Sequence, residues 1–200
     1  MRDEYMLDTP VVRAFVAAVR AEIGRAASPA EACGAIRPRF AELLADDDWL
    51  PGRFQEPSPD SGMGGGIGQW LLFRAGDRSL TLFALVVPPE AATPIHDHLA
   101  WGLVGLYRGT QDEEIYAERD GRAEPVERRT LATGDFYVLL PPREDIHRVR
   151  TSSPEPSVSI HLLTNDTGCV WRHAYDERSG APSPFRSGYV NVPCDEEPGS

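Results

Sequence analysis

The sequence predicts a mainly β protein, a barrel or sandwich with two α-helices packed outside it, and three observations carry that expectation. From Gln69 onward the chain breaks into short apolar segments punctuated by Gly, Pro and Asp. Before Gln69, two stretches repeat apolar residues at helical spacing behind good N-terminal caps. Within the β region, His96, His98 and His147 are spaced so that they could share one ion.

Taken in order, Thr9-Pro10 reads as an N-cap followed by proline at the first helical position. Val12, Phe15, Val16, Val19 and Ile23 then mark one apolar face. Ser28-Pro29-Ala30-Glu31 is a capping box that opens a second helix. Pro38 is expected to kink or divide that helix before Phe40, Leu43 and Leu44 complete its stripe. Asp46-Asp47-Asp48 ends it, and Trp49-Leu50-Pro51 leads out. Residues 52–68 are rich in Pro, Gly and Ser and read as a connector, because Gly64-Gly65-Gly66 and Gly68 lack the Gly-Lys-Ser/Thr ending of a phosphate-binding loop.

Strands are expected at 69–74, 79–87, 101–108, 112–118, 126–131, 136–140, 146–150, 157–164 and 168–175, with turns such as Gly76-Asp77, Asp120-Gly121 and Gly134-Asp135 between them. The predicted organisation is one domain over 1–192, with helices over about 9–48 and a barrel over about 69–192, and then an acidic tail at 193–200.

Composition narrows the partners. Two hundred residues with 41% hydrophobic content suffice for a real core. A net charge of -11 opposes nucleic acid and anionic membrane surfaces by Coulomb repulsion. No apolar run approaches the roughly 20 residues that span a bilayer. Met1 to Tyr5 is acidic and carries no apolar signal core. Cys33, Cys169 and Cys194 form no metal motif, and their odd number suits a reducing compartment, so the cytoplasm is the expected location. Oligomeric state is left open.

Side chains two residues apart on a strand share a face, so His96 and His98 can reach one metal together, with His147 arriving from a second segment after the Pro141-Pro142 turn. Asp97 then faces the other way and reads as a structural partner. The competing reading is three unrelated surface or core histidines. Nitrogen ligands suit iron, zinc, copper and nickel alike, so the donor set does not choose the metal. The stretch Leu99-Ala100-Trp101-Gly102-Leu103 supplies no carboxylate, which leaves three neutral imidazoles and favours an anionic ligand from outside.

Several stretches together extend this picture: Asp47-Asp48-Trp49-Leu50-Pro51, Thr93-Pro94-Ile95-His96-Asp97-His98 with Trp101-Gly102, Asp145-Ile146-His147-Arg148-Val149, Ser159-Ile160-His161 and Ser187-Gly188-Tyr189. They resemble the cysteine dioxygenase superfamily of cupin thiol dioxygenases, and most of all its bacterial 3-mercaptopropionate dioxygenase branch. The resemblance implies a cupin (double-stranded β-helix) barrel, one Fe(II) on His96, His98 and His147, and oxidation of a small carboxylate-bearing thiol by O2 to its sulfinic acid. It makes Ser159 and His161 the start of a hydrogen-bonded relay and places Arg172 on the substrate carboxylate, where a guanidinium can form two parallel hydrogen bonds. Gln69 stands where cysteine-specific relatives carry an arginine. By the same resemblance Trp101 borders the substrate, and strand alternation puts Leu163 on the face of Ser159 and His161, an apolar wall beside the metal.

Taken alone, His161 reads as a satisfied core histidine, Arg172 as a surface cation and Gln69 as a strand-edge polar residue. Two departures stand out. No cysteine follows His98 closely enough to crosslink a tyrosine, and the relay tyrosine is Leu163. Two alternatives therefore remain: a metal-dependent cupin acting on a non-thiol substrate, and a non-catalytic barrel that binds a metal or a small acid.

Overall fold

In the computed structural model, which describes residues 2–60 and 62–194, two caps launch the helices that the sequence predicts. The Thr9 side chain accepts from the Val12 amide to open α1 (Pro10–Arg25), and Ser28 accepts from the Glu31 amide to open α2 (Pro29–Ala45). The Glu31 carboxylate reaches back to the Ala27 amide at 2.9 Å, one residue earlier than a standard capping box. The expected division at Pro38 does not occur: α2 runs continuously through it, with Ile36, Phe40, Leu43 and Leu44 buried along one side. Tertiary packing outweighs the lost amide donor there.

The strands are β1 (Glu4–Tyr5), β2 (Gly68–Arg74), β3 (Thr81–Val87), β4 (Ile95–His96), β5 (Gly102–Arg108), β6 (Thr110–Arg119), β7 (Arg122–Ala132), β8 (Phe136–Leu139), β9 (Ile146–Thr151), β10 (Ser157–Leu163), β11 (Arg172–Tyr175) and β12 (Pro182–Phe185). They form two six-stranded sheets in the orders β1-β2-β3-β10-β5-β8 and β12-β11-β4-β9-β6-β7, with every pairing between strands antiparallel. Their inner faces meet: Tyr137 of β8 hydrogen-bonds Glu113 of β6 at 2.7 Å, and the rings of His161 and His98 lie 6.4 Å apart. The result is a cupin barrel, a double-stranded β-helix, with both helices outside it.

Period-two alternation sorts the first sheet into two apolar surfaces. Leu82, Ala84 and Val86 of β3 join Val158, Ile160 and Leu162 of β10 in the cluster that receives the helices. Phe83, Leu85, Val87 and Leu163 belong to a second cluster in the barrel interior. Gly105 lets α2 settle onto β5, since a Cβ there would come within 2.5 Å of the Leu44 side chain and 2.8 Å of the Phe40 ring. Each of these buried Leu or Phe side chains contributes about 1.5–3 kcal/mol by leaving water.

Elsewhere the expected boundaries move. β4 is only two residues long, so His98 lies beyond the strand that carries His96. The candidate at 168–175 shortens to β11, and β1, β4 and β12 are short strands held chiefly by their neighbours. Cys169 and Cys194 form a disulfide and Cys33 is free and buried, so the odd count conceals a bonded pair. Most of the predicted acidic tail, residues 195–200, lies outside the described residues. Among the described residues, no helix is long and apolar enough to cross a membrane.

Candidate metal centre and its surroundings

The three histidines converge. His96 of β4 pairs with His147 of β9 across the ladder, and His98 follows on the next turn of chain. All three are buried, their ligand nitrogens lie within 4.8 Å of one another, and their ring centroids are 4.7–5.0 Å apart. In each ring Nδ1 faces an acceptor: the Pro94 carbonyl for His96 at 2.8 Å, the Asp145 carbonyl for His98 at 3.0 Å, and the Glu113 carboxylate, at short range, for His147. An Nδ1–H donated to an acceptor leaves the Nε2 lone pair free to bind a metal. Burial, helped by neighbouring positive charge, lowers the pKa of His96 and His98 below the ordinary imidazole value, which keeps the rings neutral and able to ligate. The donor set therefore fits a divalent transition metal.

The loop after His98 is pinned from several sides. The Asp145 carboxylate accepts from the His98 amide at 2.9 Å, and the Asn165 amide donates to the His98 and Leu99 carbonyls. Asp97 points away from the triad, as alternation predicts, and its carboxylate takes the His173 amide at 2.8 Å and the His173 ring at 2.7 Å. That contact ties β4 to β11.

β11 brings Arg172 beside the triad, because Ala174 pairs with His96. The Arg172 guanidinium is buried; it donates to the Asp97 carbonyl, to Ser187 Oγ at 2.9 Å and to the Thr167 carbonyl at 3.3 Å, and it stacks on Phe185 at 4.6 Å. Among the described residues no carboxylate touches it. Burial pulls its pKa down to about 10, so it remains a cation at neutral pH.

Ser159, His161 and Leu163 share the inner face of β10. Ser159 Oγ lies 3.0 Å from His161 Nε2, and Phe83 stacks on the imidazole at 4.6 Å. His161 Nδ1 is buried without a hydrogen-bond partner among the described residues. Leu163 is fully buried in the interior apolar cluster. Gln69 is also buried; it sits opposite Leu85 on the inner-face register of β2, with Nε2 unpaired among the described residues. Trp101 goes elsewhere. Alternation continues past His98 through Ala100, which joins the interior cluster, so Trp101 turns outward against the helix-side core. The structure does not bring it to the histidines.

Glu113, Tyr137 and Arg129 are the neighbours that sequence reading missed. Glu113 accepts from Tyr137 OH at 2.7 Å and from Arg129 Nε at 2.5 Å, besides facing His147. Burial alone would raise its pKa, but His147, Arg129 and Tyr137 together hold it below the usual carboxylate range. The available signal was a strand carrying Gln111, Asp112, Glu113 and Glu114, but its phase was ambiguous because Ile115 and Tyr116 are both apolar candidates for the inner face.

No family model matches the chain. Among solved structures it is similar to the cupin domain of an XRE-family transcriptional regulator from Enterobacter cloacae, at TM-score 0.37 and 21% identity over 49% of this chain and 95% of that one. It is likewise similar to a conserved double-stranded β-helix protein from Klebsiella pneumoniae, at TM-score 0.43 and 14% identity over 57% and 86%. A third similarity is to KdgF from a Halomonas species, at TM-score 0.37 and 19% identity over 50% and 80%. These are likenesses of chain path, and none bears on what this chain binds.

Proposed function

We propose that the protein is a thiol dioxygenase that converts a small carboxylate-bearing thiol and O2 to the sulfinic acid, with 3-mercaptopropionate or a similar acid as substrate. One observation carries the reading: a buried triad of imidazoles lies beside a buried guanidinium that has no carboxylate partner among the described residues. A ligand with a carboxylate at one end and a metal-seeking sulfur at the other satisfies both needs. The motif resemblance supplies the choice of iron.

Iron(II) held by His96, His98 and His147 would supply affinity for a soft thiolate and for dioxygen. The overall change is RSH + O2 → RSO2H, with both oxygen atoms entering the product. Arg172 would orient the carboxylate through charge-assisted hydrogen bonds, its plane already set by the Asp97 carbonyl, Ser187 and Phe185. Phe83 and Leu163 would keep water away from the sulfur, and Ser159 would hold the His161 ring in one orientation.

A non-catalytic barrel gains support from Leu163, which leaves His161 Nδ1 without the phenol that the resemblance places there. Oxygen uptake by iron-loaded protein across a panel of thiols separates the readings. The expected result is uptake of one O2 per acidic thiol consumed, with the sulfinic acid as product. Iron-loaded protein that binds these thiols and consumes no oxygen would overturn the proposal.

A further inference from the structure

The three imidazoles are anchored by unequal acceptors. His96 directs Nδ1 at the Pro94 carbonyl and His98 at the Asp145 carbonyl, with the Asp145 carboxylate farther off at 3.5 Å, whereas His147 makes its short Nδ1 contact with the Glu113 carboxylate itself. Glu113 is buried and comes from β6, two residues before Ile115, which pairs with His147. Oε1 receives Tyr137 OH at 2.7 Å as well as His147, and Oε2 receives Arg129 Nε at 2.5 Å. Arg129 lies over the Tyr137 ring at 3.8 Å and is about one-fifth exposed, so a chain of contacts runs from His147 through Glu113 to the surface at the seam between the sheets.

We infer that Glu113 is a positioning residue that makes His147 the electron-rich ligand of the triad and offsets part of the metal charge, with Arg129 moderating how strongly it does so. The sequence pattern suggests three neutral ligands and an uncompensated divalent ion. The folded site instead holds a carboxylate one bond network behind the ion, where low polarity magnifies its field. A carboxylate acceptor draws the Nδ1 proton more strongly than a carbonyl does, which raises donation from Nε2. The bland alternative is that Glu113 merely clamps β7 to β6 through Arg129, since residues 113 and 129 face each other across that ladder.

The inference rests on the triad binding a metal and on no particular reaction. The test measures Co(II) affinity by chelator competition, and azide binding to the Co(II)-loaded protein, for wild type, Glu113→Gln and Arg129→Gln. Glu113→Gln should weaken Co(II) by roughly 10- to 100-fold, the range set by losing a partner behind a ligating histidine, while azide binds more tightly. Arg129→Gln should bind Co(II) at least as tightly as wild type, because the carboxylate keeps His147 and loses its compensating cation. A structural clamp would instead make both variants weaken the metal equally, and that result overturns the inference. So does a folded Glu113→Gln variant whose affinity stays within about threefold of wild type, against the 10- to 100-fold expected. If Glu113→Gln does not fold, histidine-selective 15N NMR of the Zn(II)-loaded wild type decides: a proton must reside on His147 Nδ1, and its absence overturns the assignment. Wild type that takes up no Co(II) would overturn the metal centre itself.

Discussion

The two sheets of the barrel are built from the same alternation and do different work. The helix-backed sheet is buried on both faces and mostly apolar: all seven residues of β3 and all seven of β10 are buried. The other sheet carries His96, His147, Glu113 and Arg172 on its buried face, while β7 at its edge is mostly exposed. Stability is concentrated where side chains are interchangeable hydrophobes, and chemistry where His96, His147, Glu113 and Arg172 each have a hydrogen-bond partner. The first sheet contributes Ser159 and His161 to the interior, so the division is not complete.

The sharpest way to break this comparison is to exchange the lesions. His147→Ala should strip most of the bound metal and all measurable turnover, a larger loss than the roughly 10- to 100-fold expected for an outer partner. The apo fold should survive, because the ring makes no contact with the helix-side core. Metal analysis alongside circular dichroism checks both halves, and full metal content in this variant would sink the assignment of His147. Phe40→Ala is the converse. Phe40 is fully buried between Phe15 and Phe136, with ring centroids at 6.3 and 5.6 Å. Its truncation should cost about 3–5 kcal/mol in urea unfolding while metal stoichiometry stays unchanged. A stability loss below about 1 kcal/mol would show that the helices are not integral to the first sheet.

Arg172→Ala probes the second sheet at its charge. Each hydrogen bond to a charged group is worth about 1.5–3 kcal/mol, so kcat/KM for 3-mercaptopropionate should fall roughly 10- to 100-fold. Truncation also strands Ser187 and two carbonyls, so an uncharged thiol of similar size serves as the control. Equal losses for the two thiols would mean that Arg172 shapes the pocket without reading the carboxylate.

Acid should find the polar interior before the apolar one. Burial depresses the pKa of His96 and His161 well below the ordinary value, and that of His98 in the same direction. As pH falls through about 6.5 the unfolded chain takes up these protons while the folded chain does not. Stability of the metal-free protein is therefore full above that value and lost below it. The slope is about 1.4 kcal/mol per pH unit for each imidazole that stays neutral. Urea midpoints between pH 7.5 and 5 measure this slope, and His161→Gln should make it shallower. A flat profile would contradict the assignment of buried neutral rings.

The regular elements were legible because their signals are local: caps at Thr9 and Ser28, alternation along β3 and β10, and turns rich in glycine and proline. What the sequence hid depends on contacts distant along the chain. β4 spans two residues and exists as a strand because β9 and β11 flank it. Glu113 could not be preferred to Glu114 until the strand's phase was known, and the Cys169–Cys194 pairing needed the C-terminal segment to fold back. Gly168 shows how tightly that segment closes, since a Cβ there would come within 2.4 Å of the Tyr189 ring. Arg172 was placed by resemblance alone, because nothing local distinguishes a buried arginine from an exposed one.

The smallest expected effect concerns the residue where the two sheets' roles overlap. Leu163 stands on the inner face of β10, two residues beyond His161, yet it packs as a core leucine among Phe83, Val104 and Leu139. Beside it, His161 Nδ1 has no partner among the described residues, a buried nitrogen of the kind that costs about 1–3 kcal/mol when left unpaired. Leu163→Tyr adds a ring to a filled interior, so overpacking should cost about 1–3 kcal/mol of stability. It also offers a phenol on the face that His161 shares, and a paired imidazole would narrow the space open to bulky thiols. The specificity constants for 3-mercaptopropionate and for a larger acidic thiol should then move apart by a few-fold in favour of the smaller one. That shift would show that the helix-backed sheet helps to select the substrate. If the ranking of thiols is unchanged while stability falls, Leu163 belongs to the core alone, and selection rests with Arg172 and the second sheet.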